Sequence, residues 1–168
     1  VKTGKDAEPW TSDWTNSYQW QPIAVVRPDN TSQVQDIARI CSASDVAMVP
    51  LGGNTGLAGG TKAQDSIMIS LDRMNAIREI KPNAKVAIAE SGAILEKIHW
   101  AVDEHNLVFP LLFGARGSAM IGGNLSTNAG GSNVLRYGNT RDLCLGIEVV
   151  LADGRVMNLM SELRKDNT

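Results

Sequence analysis

The run Pro50-Leu51-Gly52-Gly53-Asn54-Thr55-Gly56-Leu57-Ala58-Gly59-Gly60 sets five glycines in eleven residues, directly after an apolar stretch. Glycine tolerates positive φ and lets a ligand approach the main chain closely. Successive amide N–H groups in such a turn form a concave nest for phosphate oxygens. The run contains no Lys or Arg. A diphosphate held here would be neutralised mainly by backbone dipoles, with Asn54 and Thr55 expected to add side-chain donors. A Walker loop is excluded because Lys62 follows Thr61 and not glycine. No glycine triple has the i, i+2, i+5 spacing of the Rossmann fingerprint.

A second run could do related chemistry. Gly114-Ala115-Arg116-Gly117-Ser118 leads into Gly122-Gly123-Asn124-Leu125-Ser126-Thr127-Asn128-Ala129-Gly130-Gly131. Such small polar residues bury little apolar area and make a poor core. They suit a long, flat, polar ligand lying against the backbone, with Ser118, Asn124, Thr127 and Asn128 as hydrogen-bonding groups. Arg116, Arg136 and Arg141 could complement an anion, although surface charge is the plainer reading of each.

Other chemistries find little support. His99 and His105 fall six apart on one predicted helix, not at the i, i+4 spacing of a helical zinc site, so no metal site is expected. Cys41 and Cys144 read as small buried hydrophobes in a reducing compartment. The net charge is −2 with Lys and Arg scattered, which gives no footprint for nucleic acid. No stretch approaches the roughly 20 apolar residues of a membrane span, and Val1 to Pro9 lacks the apolar core of a signal peptide.

The elements that must position these runs can be read from periodicity. With 168 residues, 43% hydrophobic and 20% charged, the chain suffices for one domain or two small lobes. Trp10, Trp14, Tyr18 and Trp20 suggest a segment, 1–22, laid across a surface and anchored by its rings. Ile23 to Val26 is a predicted strand. A helix follows with Val34, Ile37, Ala38 and Cys41 on one face, started by a capping box of Ser32 and Gln35 or by Thr31. Val46 to Pro50 and Ser66 to Leu71 are further strands, and 77–81 with 85–90 form a hairpin around Pro82-Asn83. Ile94, Leu95, Ile98, Ala101 and Val102 mark a second helix. Leu145 to Leu151 and Arg155 to Leu159 flank the turn Ala152-Asp153-Gly154. The expectation is an α+β fold with a small β-α-β lobe, 23–92, and an antiparallel-sheet lobe, 93–168.

Taken together, Pro50 to Leu57, Gly117-Ser118, Ile121 to Asn124, Ser126 to Gly131, Arg136-Tyr137-Gly138 and Leu145 to Gly154 resemble the FAD-binding domain of the vanillyl-alcohol-oxidase-type (PCMH-type) flavoproteins. Asp13-Trp14 and Val26-Arg27-Pro28 extend the likeness over nearly the whole chain. The nearest branch is the D-2-hydroxyglutarate, D-lactate and glycolate dehydrogenase group of FAD-linked oxidases. The resemblance implies that FAD lies in the cleft of two lobes. Pro50, Gly52, Gly53, Asn54, Thr55, Gly56 and Leu57 would meet the diphosphate. Gly114, Gly117, Ser118, Gly122, Gly123, Asn124, Ser126, Thr127, Asn128, Ala129 and Gly130 would line the rest. Some relatives carry a first-loop histidine bonded to the flavin; Gly53-Asn54-Thr55 stands there, so non-covalent FAD is expected.

The same resemblance implies oxidation of a D-2-hydroxy acid to the 2-oxo acid, with hydride passing to flavin N5 and electrons leaving to an acceptor other than NAD. It also implies that relatives continue past a segment like Arg164-Lys165-Asp166-Asn167 into another FAD contact and a substrate cap, so the chain is expected to be incomplete at its C-terminus. No catalytic residue is assigned. An ether-lipid-synthase-like or cell-wall-reductase-like flavoenzyme, or a non-catalytic FAD-binding subunit, are the alternatives. A homodimer is compatible with the sequence, as is a cytoplasmic or mitochondrial matrix location.

Overall fold

The computed structural model describes residues 1–162. Arg164 to Asn167, and with them the end of the expected 93–168 lobe, lie outside the described residues. The chain divides into two compact units. One comprises Val1–Met74 and Val150–Val156, and the other Asn75–Val149 with residues 157–162. The fold is α+β. No described helix is long and apolar enough to cross a membrane.

The first unit is built on three short strands, β1 (Ala24–Val26), β2 (Met48–Leu51) and β3 (Ile67–Ser70), in the parallel order β1-β3-β2. Ala24 and Met48 both lie opposite Ile67. Helix α1 (Thr31–Ala43) joins β1 to β2 and buries Ala38 and Cys41, as the 3.6-residue spacing predicts. Its cap is neither the Ser32–Gln35 box nor Thr31. Asn30 is the last extended residue (φ −154°), and its side chain accepts the Gln33 amide at 2.9 Å. Parallel neighbours need a long crossover. Between β2 and β3 that crossover is the irregular segment 52–66, which contains the glycine run. Segments this long without regular structure are uncommon and usually functional.

Val25 and Met68 are fully buried at the centre of this unit, with Ala7, Trp20, Leu51 and Ala63 around them. The N-terminal segment is therefore more than a surface strap. Trp20 enters the core and donates its indole N–H to the Trp10 carbonyl at 2.7 Å. Lys2 pairs antiparallel with Val25. Trp14 behaves differently from the sequence expectation: its ring is 71% exposed and anchors nothing.

In the second unit, β4 (Ile77–Lys81) and β5 (Val86–Ala89) form the expected antiparallel hairpin. Helix α2 (Leu95–Asp103) turns Ile98 and Val102 into a cluster with Ala93, against which Ile77, Ile80, Ala89, Phe109 and Ile121 pack. Two helices follow, α3 (Ile121–Thr127) and the single turn α4 (Val134–Tyr137). Composition hid α3, because Gly, Asn, Ser and Thr are poor helix formers. Tertiary bonds set it: Ile121 donates to the Ala93 carbonyl at 3.0 Å and Gly122 to that of Ser91 at 2.8 Å. A last hairpin of β6 (Glu148–Val150) and β7 (Val156–Asn158) closes through a Leu151–Gly154 turn that belongs to the first unit, with Gly154 at φ +82°.

Arg27 ties the end of β1 to the end of β3. Its Nε and Nη2 both donate to the Asp72 carboxylate at 2.7 to 3.1 Å, and its guanidinium lies 5.8 Å from the Trp10 ring centroid. Burial alone would raise the Asp72 pKa, but the bonds from Arg27 and Ser70 outweigh it and hold the carboxyl below its ordinary value. Since the folded pKa lies below the unfolded one, this stabilisation is present above pH ~3.9 and is lost as pH falls through the folded value. Asp72→Asn should cost about 1 kcal/mol at neutral pH, read by urea denaturation, and the deficit should shrink towards the acid end.

Candidate functional site

In the glycine-rich segment of the first unit, Pro50 is an exposed residue of β2, and Gly52, Gly53, Asn54 and Thr55 are half-buried. Gly56, Leu57 and Ala58 are exposed, Leu57 to 65%. Among the described residues, no backbone amide from Gly52 to Gly60 donates a hydrogen bond to a protein acceptor. A run of free N–H groups is what a phosphate nest requires. A Cβ built at Gly56 or at Gly60 meets nothing within 4 Å, and neither residue has positive φ. Glycine there is demanded neither by the chain's own packing nor by backbone strain.

Asn54 corrects part of the sequence reading. It sits in the left-handed region, φ +52°, which asparagine tolerates better than most residues. Its Nδ2 donates to the Ser12 carbonyl at 2.8 Å, and its Oδ1 accepts from the Thr61 hydroxyl at 2.9 Å. One of its two Nδ2 hydrogens and its Oδ1 are thus engaged within the protein, which fixes the side chain beside the run. Thr55 has no side-chain hydrogen bond among the described residues, so its hydroxyl stays available.

The second segment belongs to the other unit. Gly114–Gly117 form a turn of 3-10 helix, Ser118 is its exposed cap, and Gly122, Gly123, Asn124, Ser126 and Thr127 all ride on α3. Two of its glycines are open: a Cβ at Gly114 or Gly123 meets nothing within 4 Å. Others serve packing. At Gly122 a Cβ would lie 2.6 Å from that of Ser91, at Gly130 it would lie 2.9 Å from Asn139 Oδ1, and at Gly131 it would strike the Leu112 carbonyl. A helical glycine costs up to about 1 kcal/mol relative to alanine. At Gly123 nothing in its own surroundings requires that cost.

Asn124 adds an independent sign. The residue is 6% exposed, yet its side-chain oxygen has no hydrogen-bond partner among the described residues. An orphaned buried acceptor costs about 1–3 kcal/mol and calls for an N–H or O–H donor. The Ser126 and Thr127 hydroxyls donate to the Gly122 and Gly123 carbonyls of their own helix, at 2.8 and 2.9 Å. With their single hydrogens engaged, these hydroxyls can only accept from a ligand. Asn128 ends α3 in the left-handed conformation, φ 52°, and its Oδ1 accepts the Arg141 amide at 3.1 Å. Ala129 is half-buried and donates its N–H to the Asn124 carbonyl at 2.8 Å.

The arginines have structural partners. Arg141 donates to the Leu125 and Ser126 carbonyls and so satisfies the end of α3, a role that sequence reasoning missed. Arg116 pairs with Glu96 at 3.1 Å, and Arg136 lies over the Tyr137 ring at 5.2 Å. His99 Nε2 is bonded to the Leu111 carbonyl at 2.9 Å and His105 is exposed. No group of three His, Cys, Asp or Glu among the described residues could hold a metal. In the first unit the free amides suit an anionic group; in the second, the open glycines and the orphaned Asn124 oxygen suit a partner with N–H or O–H donors. A flavin dinucleotide has both.

Two substitutions separate ligand space from packing. Gly123→Ala should leave the stability of the flavin-free protein unchanged, or raise it by up to about 1 kcal/mol, while weakening flavin binding. Gly131→Ala should cost about 1–3 kcal/mol by overpacking, whether flavin is present or not. Asn124→Leu, which removes the orphaned oxygen, should stabilise the flavin-free protein and weaken flavin binding about tenfold. Thermal melts and flavin titration check all three.

Residues 22–160 match the family described as FAD binding domain. The chain is 42% identical over 165 residues to the mitochondrial D-2-hydroxyglutarate dehydrogenase of Bos taurus, covering 98% of this chain and 30% of that protein. It is 40% identical over 164 residues to the D-2-hydroxyglutarate dehydrogenase of Xanthomonas citri, covering 97% and 35%. It is also 40% identical over 164 residues to a putative mitochondrial D-lactate dehydrogenase of Schizosaccharomyces pombe, covering 97% and 31%. Among solved structures, 6-hydroxy-D-nicotine oxidase from Arthrobacter nicotinovorans superimposes with a TM-score of 0.82 at 19% identity, over 94% of this chain and 34% of that one. An alkyldihydroxyacetonephosphate synthase gives 0.77 at 18% identity, over 86% and 27%. The chain thus spans about a third of the length of these relatives. The open glycine loop, the small-residue helix and these matches agree, and the chain belongs to the FAD-binding domain family.

Proposed function

We propose that this chain is the FAD-binding portion of a flavin-dependent dehydrogenase that oxidises a D-2-hydroxy acid to the 2-oxo acid. The carrying observation is the 42% identity to a D-2-hydroxyglutarate dehydrogenase over nearly the whole chain. D-2-hydroxyglutarate is the first substrate to test, with D-lactate and glycolate beside it. Bound FAD would supply the two-electron chemistry, taking a hydride from the substrate α-carbon at flavin N5.

The roles of the chain's own residues follow from their exposed groups. The amides of Gly52, Gly53, Asn54, Thr55 and Gly56 would hold the diphosphate, with the Thr55 hydroxyl adding a donor and Pro50 and Leu57 flanking it. Asn124 Oδ1 would accept from the ribityl or flavin part. Gly114, Gly117, Ser118, Gly122, Gly123, Ser126, Thr127, Asn128, Ala129 and Gly130 would lie along that part, the open glycines keeping the backbone within reach. The lobes at 23–92 and 93–168 are proposed as the two halves of that site. FAD is proposed to be non-covalent, since asparagine, not histidine, occupies position 54. In the whole protein, the carboxylate clamp, the general base and any metal would come from sequence outside this chain. The electron acceptor would be other than NAD. The location would be cytoplasmic in a bacterium or the mitochondrial matrix in a eukaryote.

The test is to purify the whole polypeptide and record its visible spectrum. D-2-hydroxyglutarate, D-lactate and glycolate are then added anaerobically in turn. One of them should bleach the flavin bands, and acid precipitation should leave all yellow colour in the supernatant. A colourless protein that takes up no added FAD would sink the proposal. Colour retained in the acid pellet would overturn only the non-covalent attachment.

A further inference from the structure

The glycine-rich segment is gripped at two points by one other piece of chain, and both contacts lie within the first unit. Residues 11–20 form a small hairpin: Ser12 bridges Gln19, the Asp13 amide donates to the Tyr18 carbonyl, and that of Trp20 to the Thr11 carbonyl at 2.9 Å. Asp13 organises it from inside. This carboxylate is 3% exposed, accepts the Tyr18 amide at 2.8 Å and the Thr15 amide at 3.2 Å, and is bonded to the Thr15 hydroxyl.

The outer side of this hairpin meets the glycine run. The Ser12 carbonyl receives Asn54 Nδ2 at 2.8 Å, and the Tyr18 ring lies where a Cβ on Gly59 would come within 3.3 Å. Thr61 braces the far side of Asn54 at 2.9 Å. Asn54 and Gly59 both have positive φ, at +52° and +71°. The two left-handed residues that turn the chain are thus the two that the hairpin touches. Between them, Thr55 to Ala58 have no partner for their amides among the described residues.

We propose that the 11–20 hairpin is a clamp that pre-orders the glycine run for its anionic ligand, and that Asn54, through its bond to the Ser12 carbonyl, is the positioning residue that transmits this order. The proposal rests on the reading that the run holds the FAD diphosphate. A flexible turn must lose conformational freedom to align several amides on one anion; ordering it in advance moves that loss out of the binding step. Glycine, the most flexible residue, has the most to lose.

The test uses the whole polypeptide stripped of flavin. Asn54→Gly keeps the left-handed turn and removes both side-chain bonds, and Tyr18→Ala removes the ring beside Gly59. Each should raise the Kd for FAD about tenfold while leaving the flavin-free thermal midpoint near that of the wild type. The phosphorus NMR resonances of bound FAD should shift in Asn54→Gly, because the diphosphate meets a less ordered loop. An unchanged Kd and unshifted resonances, in a protein whose wild type binds FAD, would overturn the clamp and leave the FAD reading intact. A Kd loss that merely tracks a fall in midpoint, and that the core variant Val25→Ala reproduces, would also overturn it. If the wild type takes up no FAD, the FAD reading itself fails.

Discussion

Main-chain N–H groups without a protein partner are the constraint around which the first unit is arranged. A buried or half-buried amide must find an acceptor, in the protein or in something the protein binds. From Gly52 to Thr55 the chain offers half-buried amides of this kind in succession, and the described residues supply no acceptor for them. The strand β2 delivers the run, β3 receives the chain after it, and parallel pairing forces the connection to be long. The 11–20 hairpin packs beside that run through the Ser12 carbonyl and the Tyr18 ring.

The second unit solves a related problem with a helix. In α3, small residues replace the apolar face that ordinarily secures a helix, and tertiary hydrogen bonds do the securing instead. Gly122 rests on Ser91, Arg141 satisfies the last carbonyls, and Thr140 doubly bonds the Ala129 carbonyl. A helix fixed in this way can leave one surface nearly free of side chains. Gly123 has no neighbour at its Cβ direction, and among the described residues the buried Asn124 oxygen has no hydrogen-bond donor. Both features cost local stability that the protein's own packing does not require.

Periodicity made α1, α2 and the 77–89 hairpin legible, because each has an apolar face whose spacing is visible in one dimension. Glycine density likewise exposed both candidate ligand segments. What sequence could not show were choices made among equivalents. Asn30, Thr31 and Ser32 are all competent caps, and only the extended backbone at Asn30 selects it. Trp14 and Trp20 look alike in sequence, but one ring stands in water and the other in the core. Asn54 reads as a donor beside a phosphate loop, yet the hairpin occupies its amide. The helix α3 was invisible because its residues disfavour helices and the bonds that hold it come from residues about 30 positions earlier.

The segment Val150–Val156, which carries the turn Ala152-Asp153-Gly154, belongs to the first unit although the chain before and after it belongs to the second. Gln35 on α1 donates to the Gly154 carbonyl at 3.0 Å, and a side chain at Gly154 would collide with Arg39 at 2.5 Å. The first unit is thus discontinuous in sequence: its last piece is synthesised some 75 residues after the rest. On a ribosome, α1 must wait for that turn with Gln35 and Arg39 uncovered, and an expressed piece ending at Met74 would never receive it.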